Sequence, residues 1–204
     1  MTVALPLLAC QPCWFTQQHS PGMHPTTSLL AEHFSLLAAQ PCWQCTANYG
    51  SWLSLHFGQP RIVVREPVPN AKRLSMQRRS ADVQGDFLLW IEMGAWEYSE
   101  EGKPLQHSEQ SREALQKVAA LLQGQCISSV QLLHARTETI FEFDQGGQLR
   151  VWPHADASAD DPLWHLYLPE KILTFQANGH IAHGPLSQAL SMFLPDGTVS
   201  VTLG

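Results

Sequence analysis

Residues 139–151 carry the most regular alternation of apolar and polar positions in the chain. Phe141 and Phe143 alternate with Glu142 and Asp144, and Leu149 and Val151 alternate with Gln148 and Arg150. Each run therefore offers one apolar and one polar face at period two. Asp144-Gln145-Gly146-Gly147 lies between the runs, where glycine can take the positive φ of a short hairpin connection. The pattern predicts a β-hairpin and carries no catalytic group.

The same reasoning extends along the chain. Residues 1–25 hold Pro6, Pro12, Pro21, Gly22 and Pro25, too many breakers for a regular element, which predicts an irregular arm. Thr26-Thr27-Ser28 then precede Leu29, Leu30, His33, Phe34, Leu36 and Leu37, spaced as one face of a helix that ends near Gln40, before Pro41. Strands are expected over 45–49, 52–57 and 61–65, with Gly58-Gln59-Pro60 turning the second into the third. A long polar loop follows over 67–85, then strands over 86–93 and 96–99. Ser108 is a plausible cap for a second helix that runs through Leu115, Val118, Ala119 and Leu122 to Gly124. Beyond it, strands are expected over 126–133, 138–143, 148–152, 164–168 and 172–176, with an acidic loop over 153–162. Pro195-Asp196-Gly197 marks a last hairpin in the tail.

Laid over each other, the halves match. Residues 36–40 answer 121–125, Leu55-His56-Phe57 answers Phe141-Glu142-Phe143, Ile62-Val63-Val64 answers Leu149-Arg150-Val151, and Trp90-Ile91-Glu92 answers Trp164-His165-Leu166. The expectation is an α+β protein of two tandem helix-plus-antiparallel-meander units, an internal duplication packed as one body. The units are 26–107 and 108–184, preceded by the arm at 1–25 and followed by a hairpin tail at 185–204. Trp90 and Trp164 are then core anchors at equivalent places.

Composition narrows the function. The 204 residues suffice for a full core, and charged residues are only 15% of them, which fits a compact, turn-rich body. A formal charge of −6 disfavours nucleic acid and anionic membrane as partners and favours a basic or neutral protein. No apolar run reaches the length of a membrane span. Leu7-Leu8-Ala9-Cys10 has the form of a lipoprotein cleavage box, but few apolar residues and no Lys or Arg precede it. Together with an odd count of five cysteines, this leads to the expectation of a cytoplasmic protein.

Two clusters carry candidate chemistry. Cys10, Cys13, Cys42 and Cys45 form two C-x-x-C pairs, which together supply the four thiolates of a tetrahedral structural zinc. Pro12 and Trp43 inside the pairs, with no glycines beyond them, depart from a zinc knuckle. A redox-active pair and plain buried thiols are the alternatives, the thiols being the simplest. The second cluster is basic: six of the twelve Lys and Arg lie between Arg61 and Arg79 with one acid, Glu66. Lys72, Arg73, Arg78 and Arg79 in this loop are candidates for contact with phosphate or an acidic partner surface, against the plainer reading of a solvated loop.

Weaker candidates are the pair His180 and His183 with His154, His165 and Asp156, and the acids Glu92, Glu97, Glu138 and Glu142 as an acid–base pair. Surface histidines and solvent-facing strand carboxylates account for both. No nucleophile elbow, S-x-x-K, H-E-x-x-H or phosphate-binding glycine motif occurs.

The stretch T-x-F-x-F-D-x-G-G-x-L at 139–149, followed by W-x-L-x-x-P at 164–169, resembles small bacterial families that include immunity-type proteins which neutralise toxins. The resemblance covers mainly 121–179 and rests on turn and core residues. It implies a cytoplasmic bacterial protein that acts by binding another protein. The alternative is an enzyme or small-ligand binder with a pocket between the two units, involving His134, His165 or Glu142.

Overall fold

The structure is a computed structural model, and it describes residues 25–48, 50–133 and 137–186. Within these, the chain runs through α1 (Pro25–Ser35), β1 (Gln44–Ala47), β2 (Leu53–Phe57), β3 (Arg61–Arg65), β4 (Ser80–Gln84), β5 (Phe87–Ile91), β6 (Gly94–Glu100) and β7 (Lys103–His107). It continues through α2 (Arg112–Leu122), β8 (Ile127–Leu133), β9 (Glu138–Phe143), β10 (Gly147–Pro153), β11 (Pro162–Tyr167), β12 (Lys171–Gln176) and β13 (Ile181–Pro185). All strand pairings are antiparallel.

Two sheets supply the body. One has the order β1-β2-β5-β11-β12-β13 and the other β7-β6-β10-β9-β8, while β3 and β4 pair only with each other. Period-two patterning sets the inner faces. Leu53, Leu55, Phe57, Leu89, Ile91, Trp164, Leu166, Leu173 and Phe175 of the first sheet join Trp96, Tyr98, Phe141, Phe143, Leu149 and Val151 of the second in one core. Trp164 locks the two together. Its ring lies edge-on to Phe141 at 5.7 Å and stacks on Phe175, and its Nε1 donates to Thr139 Oγ1 at 2.8 Å.

The helices complete this core. Ser111 caps α2 by accepting from the Ala114 amide, and Leu115, Val118, Ala119 and Leu122 turn inward to pack the helix on β1. Leu30 and Phe34 do the same for α1, which packs on β8. The helix that precedes each sheet's edge strand thus covers the edge strand of the opposite sheet.

This arrangement corrects the expected fold. The protein is predominantly β, with thirteen strands and two short α-helices among the described residues, and is not an α+β pair of helix-plus-meander units. Both sheets draw strands from both halves, so neither 26–107 nor 108–184 closes a core of its own. The internal duplication also fails in detail. Residues 62–64 lie in the exposed pair β3–β4, whereas 149–151 lie in the middle of a sheet. Trp90 and Trp164 sit on adjacent strands of one sheet, Trp164 fully buried on the inner face and Trp90 half-buried beside His165 on the outer. The matches reflect a shared strand period and carry no shared position.

Smaller corrections have local causes. Ser108 does not cap α2; its amide donates to the Trp96 carbonyl at 2.9 Å and its Oγ accepts from the Trp96 amide, tying β7 to β6. The connection between β9 and β10 is as expected, with Gly146 at φ 91, while Gly147 serves a different need. A Cβ there would lie 2.7 Å from the Tyr98 hydroxyl. The arm at 1–24 and the tail hairpin lie outside the described residues.

A protruding basic arm and an acidic cleft

β3 and β4 form a ribbon whose root is at the β2 and β5 ends of the first sheet. Gly58, at φ 75, turns the chain out of β2, and the Asp86 carboxylate accepts from the Gln59 amide at 3.0 Å. On the return, the Gly85 amide donates to His56 Nδ1 at 3.3 Å. Gly85 has no alternative residue at this root, because a Cβ would stand 2.2 Å from the Phe57 carbonyl oxygen. His56 is buried beneath the Trp43 ring, and burial lowers its pKa against a weaker opposing pull from Asp82.

The ribbon has the two faces of a half-buried sheet without the sheet that would bury one. Ile62 pairs with Val83 and Val64 with Ala81, which places all four on one face. That face is open: Ile62 is 73% exposed, Val64 53% and Val83 43%. Beyond it, residues 66–79 fold back on themselves through a 3₁₀ turn at Leu74–Gln77. Val68 donates to Met76 O, Met76 to Arg73 O and Gln77 Nε2 to Ala71 O, so the tip is ordered by its own hydrogen bonds.

Of the four basic candidates, Arg79 is held by Glu66 through a bidentate pair at 2.9–3.0 Å. Lys72, Arg73 and Arg78 stand exposed around Leu74, itself 75% exposed. Arg61 and Arg65 occupy the polar face of the ribbon. The expected solvated loop is therefore a structured arm, a two-stranded ribbon ending in a cationic tip with an apolar centre.

At the opposite end of β5 the character reverses. Ala95 and Glu97 of β6, His107, Ser108 and Glu109 after it, and Trp152, Pro153, His154 and Asp156 line a surface cleft of about 460 Å³. Trp152 gives it an aromatic wall, and its ring already holds the Arg150 guanidinium at 5.4 Å from the centroid. Glu109 is exposed, its carboxylate 3.9 Å from His154 Nδ1, beyond hydrogen-bond distance. The sequence marks Glu97, His154 and Asp156 for other chemistry. His107, Glu109 and Trp152 carry no local signal, because only the strand order β7-β6-β10 brings them together.

The remaining candidates resolve individually. Cys42 and Cys45 are buried, with the Cys42 thiol donating to the Gln44 carbonyl. Cys45 is pushed well up in pKa by its contact with Cys42 and by burial, which disfavours the thiolate that redox attack requires. Cys10 and Cys13 lie outside the described residues, and among the described residues no three His, Cys, Asp or Glu gather as for a metal. The described half of the expected zinc site is thus a pair of buried core thiols.

The four acids do not form an acid–base pair. Glu138 grips Arg150 in a partly buried bidentate ion pair, Glu142 accepts from Ser129, and Glu97 lines the cleft. Glu92 meets His165 at 2.9 Å, but the other imidazole nitrogen is engaged by Thr174 at 2.9 Å. A ring bonded at both nitrogens has no lone pair directed at a substrate, so the pair holds β5, β11 and β12 together. Tyr167 beside it is pushed up in pKa by burial and by the Glu92 charge. His180 bonds Gln176, His183 lies exposed on β13, and His134 is outside the described residues. A second hollow, about 320 Å³, lies between β1 and α2 and holds Arg112 as its one charged residue. Its lining draws β1 from 26–107 and α2 from 108–184.

No helix among the described residues is long and apolar enough to cross a membrane. Comparison of the chain with family models, curated proteins and solved structures finds no match.

Proposed function

We propose that this protein acts by binding another protein and that the β3–β4 arm is its docking element, directed at an acidic surface with an apolar centre. The observation that carries this reading is the uncovered face of Ile62, Val64, Ala81 and Val83. Full burial of one such aliphatic side chain contributes about 1.5–3 kcal/mol. An exposed strand pair is also an aggregation hazard, which charged flanks restrain. Arg61, Arg65, Lys72, Arg73 and Arg78 provide those flanks and make the site selective for negative charge. Local charge here outweighs net charge: the expected basic or neutral partner gives way to an acidic one. The resemblance to immunity-type proteins points the same way, toward action by binding.

Three chains test the reading: the wild type, the double variant Ile62→Asp/Val64→Asp, and Lys72→Glu/Arg73→Glu/Arg78→Glu. A partner captured from the native cell is purified and its affinity for each measured by calorimetry. Loss of at least about 100-fold in both variants is expected if the arm holds the binding hot spot. Equal affinity for all three chains overturns the reading.

A further inference from the structure

We propose that the arm's acidic partner is a second copy of this chain, the cationic tip of one molecule seating in the Trp152 cleft of the next. The inference rests on the arm being a docking element and adds what it docks on. Charge is the first argument. The segment 61–85 holds six of the twelve basic residues and two of the eighteen acids, so the remainder of the chain is strongly acidic. Each molecule therefore carries both halves of a complementary pair.

Local chemistry is the second. The tip offers Lys72, Arg73 and Arg78 around Leu74, which has no apolar cover. The cleft offers Glu97, Glu109 and Asp156 around the Trp152 ring and the small floor residue Ala95. Trp152 already binds one guanidinium within its own molecule, so the chemistry of arginine on this indole is present in the fold. A space of about 460 Å³ admits one or two long side chains and not the whole tip, which matches a contact made by Leu74 and one flanking arginine.

Placement is the third. The arm leaves the body where β5 begins, at Phe87, and the cleft opens beyond its far end, where Gly94 pairs with Pro153. A tip at one end and its receptor at the other cannot satisfy each other within one chain. They produce a heterologous, head-to-tail contact, which closes into a ring or propagates.

Sedimentation velocity over a range of concentrations in low and high salt reads the assembly. Wild type is expected to associate in low salt and to dissociate in high salt, because the rim charges are screened. Arg73→Gln/Arg78→Gln has a ruined tip and an intact cleft; Glu97→Gln/Glu109→Gln has the reverse, and neutral replacements leave the two altered surfaces without attraction for each other. Each alone is expected to be monomeric, weakened by at least about 100-fold. Mixed in equal amounts, they are expected to form a one-to-one dimer that grows no further, since one productive tip meets one productive cleft. Cooperative thermal unfolding verifies that each variant is folded, and Glu109→Gln/Asp156→Asn, both in exposed positions, replaces the cleft variant if Glu97 proves necessary for folding.

Wild type that stays monomeric in low salt overturns the inference. So does association of the wild type without dimer formation in the mixture, which places the contact elsewhere. If the wild type is monomeric yet a different acidic protein binds it in an arm-dependent way, the inference fails and the docking reading stands. If neither assembly nor any binding depends on the arm, both fail.

Discussion

His56 shows how one residue joins the core to the acting surface. Its side chain points to the outer face of β2, and its Nδ1 accepts from the Gly85 amide at the arm's root. That bond requires the neutral ring, and burial lowers the pKa from 6.5. An unfolded chain takes up the His56 proton at higher pH than the folded one. Stability from this residue is therefore full above 6.5 and declines as pH falls toward the lowered value. His56→Asn keeps an acceptor near the Nδ1 position and removes the titration. Denaturant unfolding between neutral and mildly acidic pH should show the wild type losing more stability on acidification than the variant. Parallel profiles would refute a depressed pKa. The cysteines teach a similar lesson at this scale, since spacing marks Cys42 and Cys45 for metal, while both are buried in the core and contact with Cys42 and burial push the Cys45 thiol up in pKa.

At the scale of elements, the arm and the buried strands share one pattern and have different fates. Ile62 and Val64 alternate with Arg61, Val63 and Arg65 much as Leu149 and Val151 alternate with Gln148 and Arg150. Alternation specifies a strand with an apolar face and says nothing about what covers it. β10 finds β6 and β9 on either side, whereas β3 finds only β4. The arm's apolar residues thus add little to the stability of the body. Replacing residues 61–84 with a short glycine-serine link should change the unfolding free energy by about 1 kcal/mol or less. Chemical denaturation checks this, and a loss of several kcal/mol would show that the arm belongs to the core.

At the scale of the molecule, the interleaving of the halves is the governing fact. Residues 26–107 supply β1, β2 and β5 to one sheet and β6 and β7 to the other, and residues 108–186 supply the rest. Cut apart, β5 loses β11 and β6 loses β10, each half exposing its inner face and unpaired central edges. Fragments 26–107 and 108–186 expressed singly should show no cooperative thermal unfolding, and mixing them should restore it. Independent folding of either would reinstate self-contained units. Such pairings span much of the chain, so each carries a loop-closure cost repaid only when the whole core forms.

Most strand positions, both helices, the glycine turn after β9 and the cationic character of 61–79 are legible in the residues themselves, because these depend on periodicity, capping and charge within a few residues. Local pattern misses β7 and β13, whose residues lack sustained apolar alternation, and β4, whose short alternation of Ala81 and Val83 lies within a polar, basic segment; all three are strands because a neighbour pairs with them. Long-range packing is what makes strands of both halves share each sheet, sets the basic segment off the body, and brings Glu97, Glu109, Asp156 and Trp152 together in one cleft. Local chemistry sets what each segment can form. Which segments become neighbours is settled by the burial of one common core, and that is a property of the whole chain.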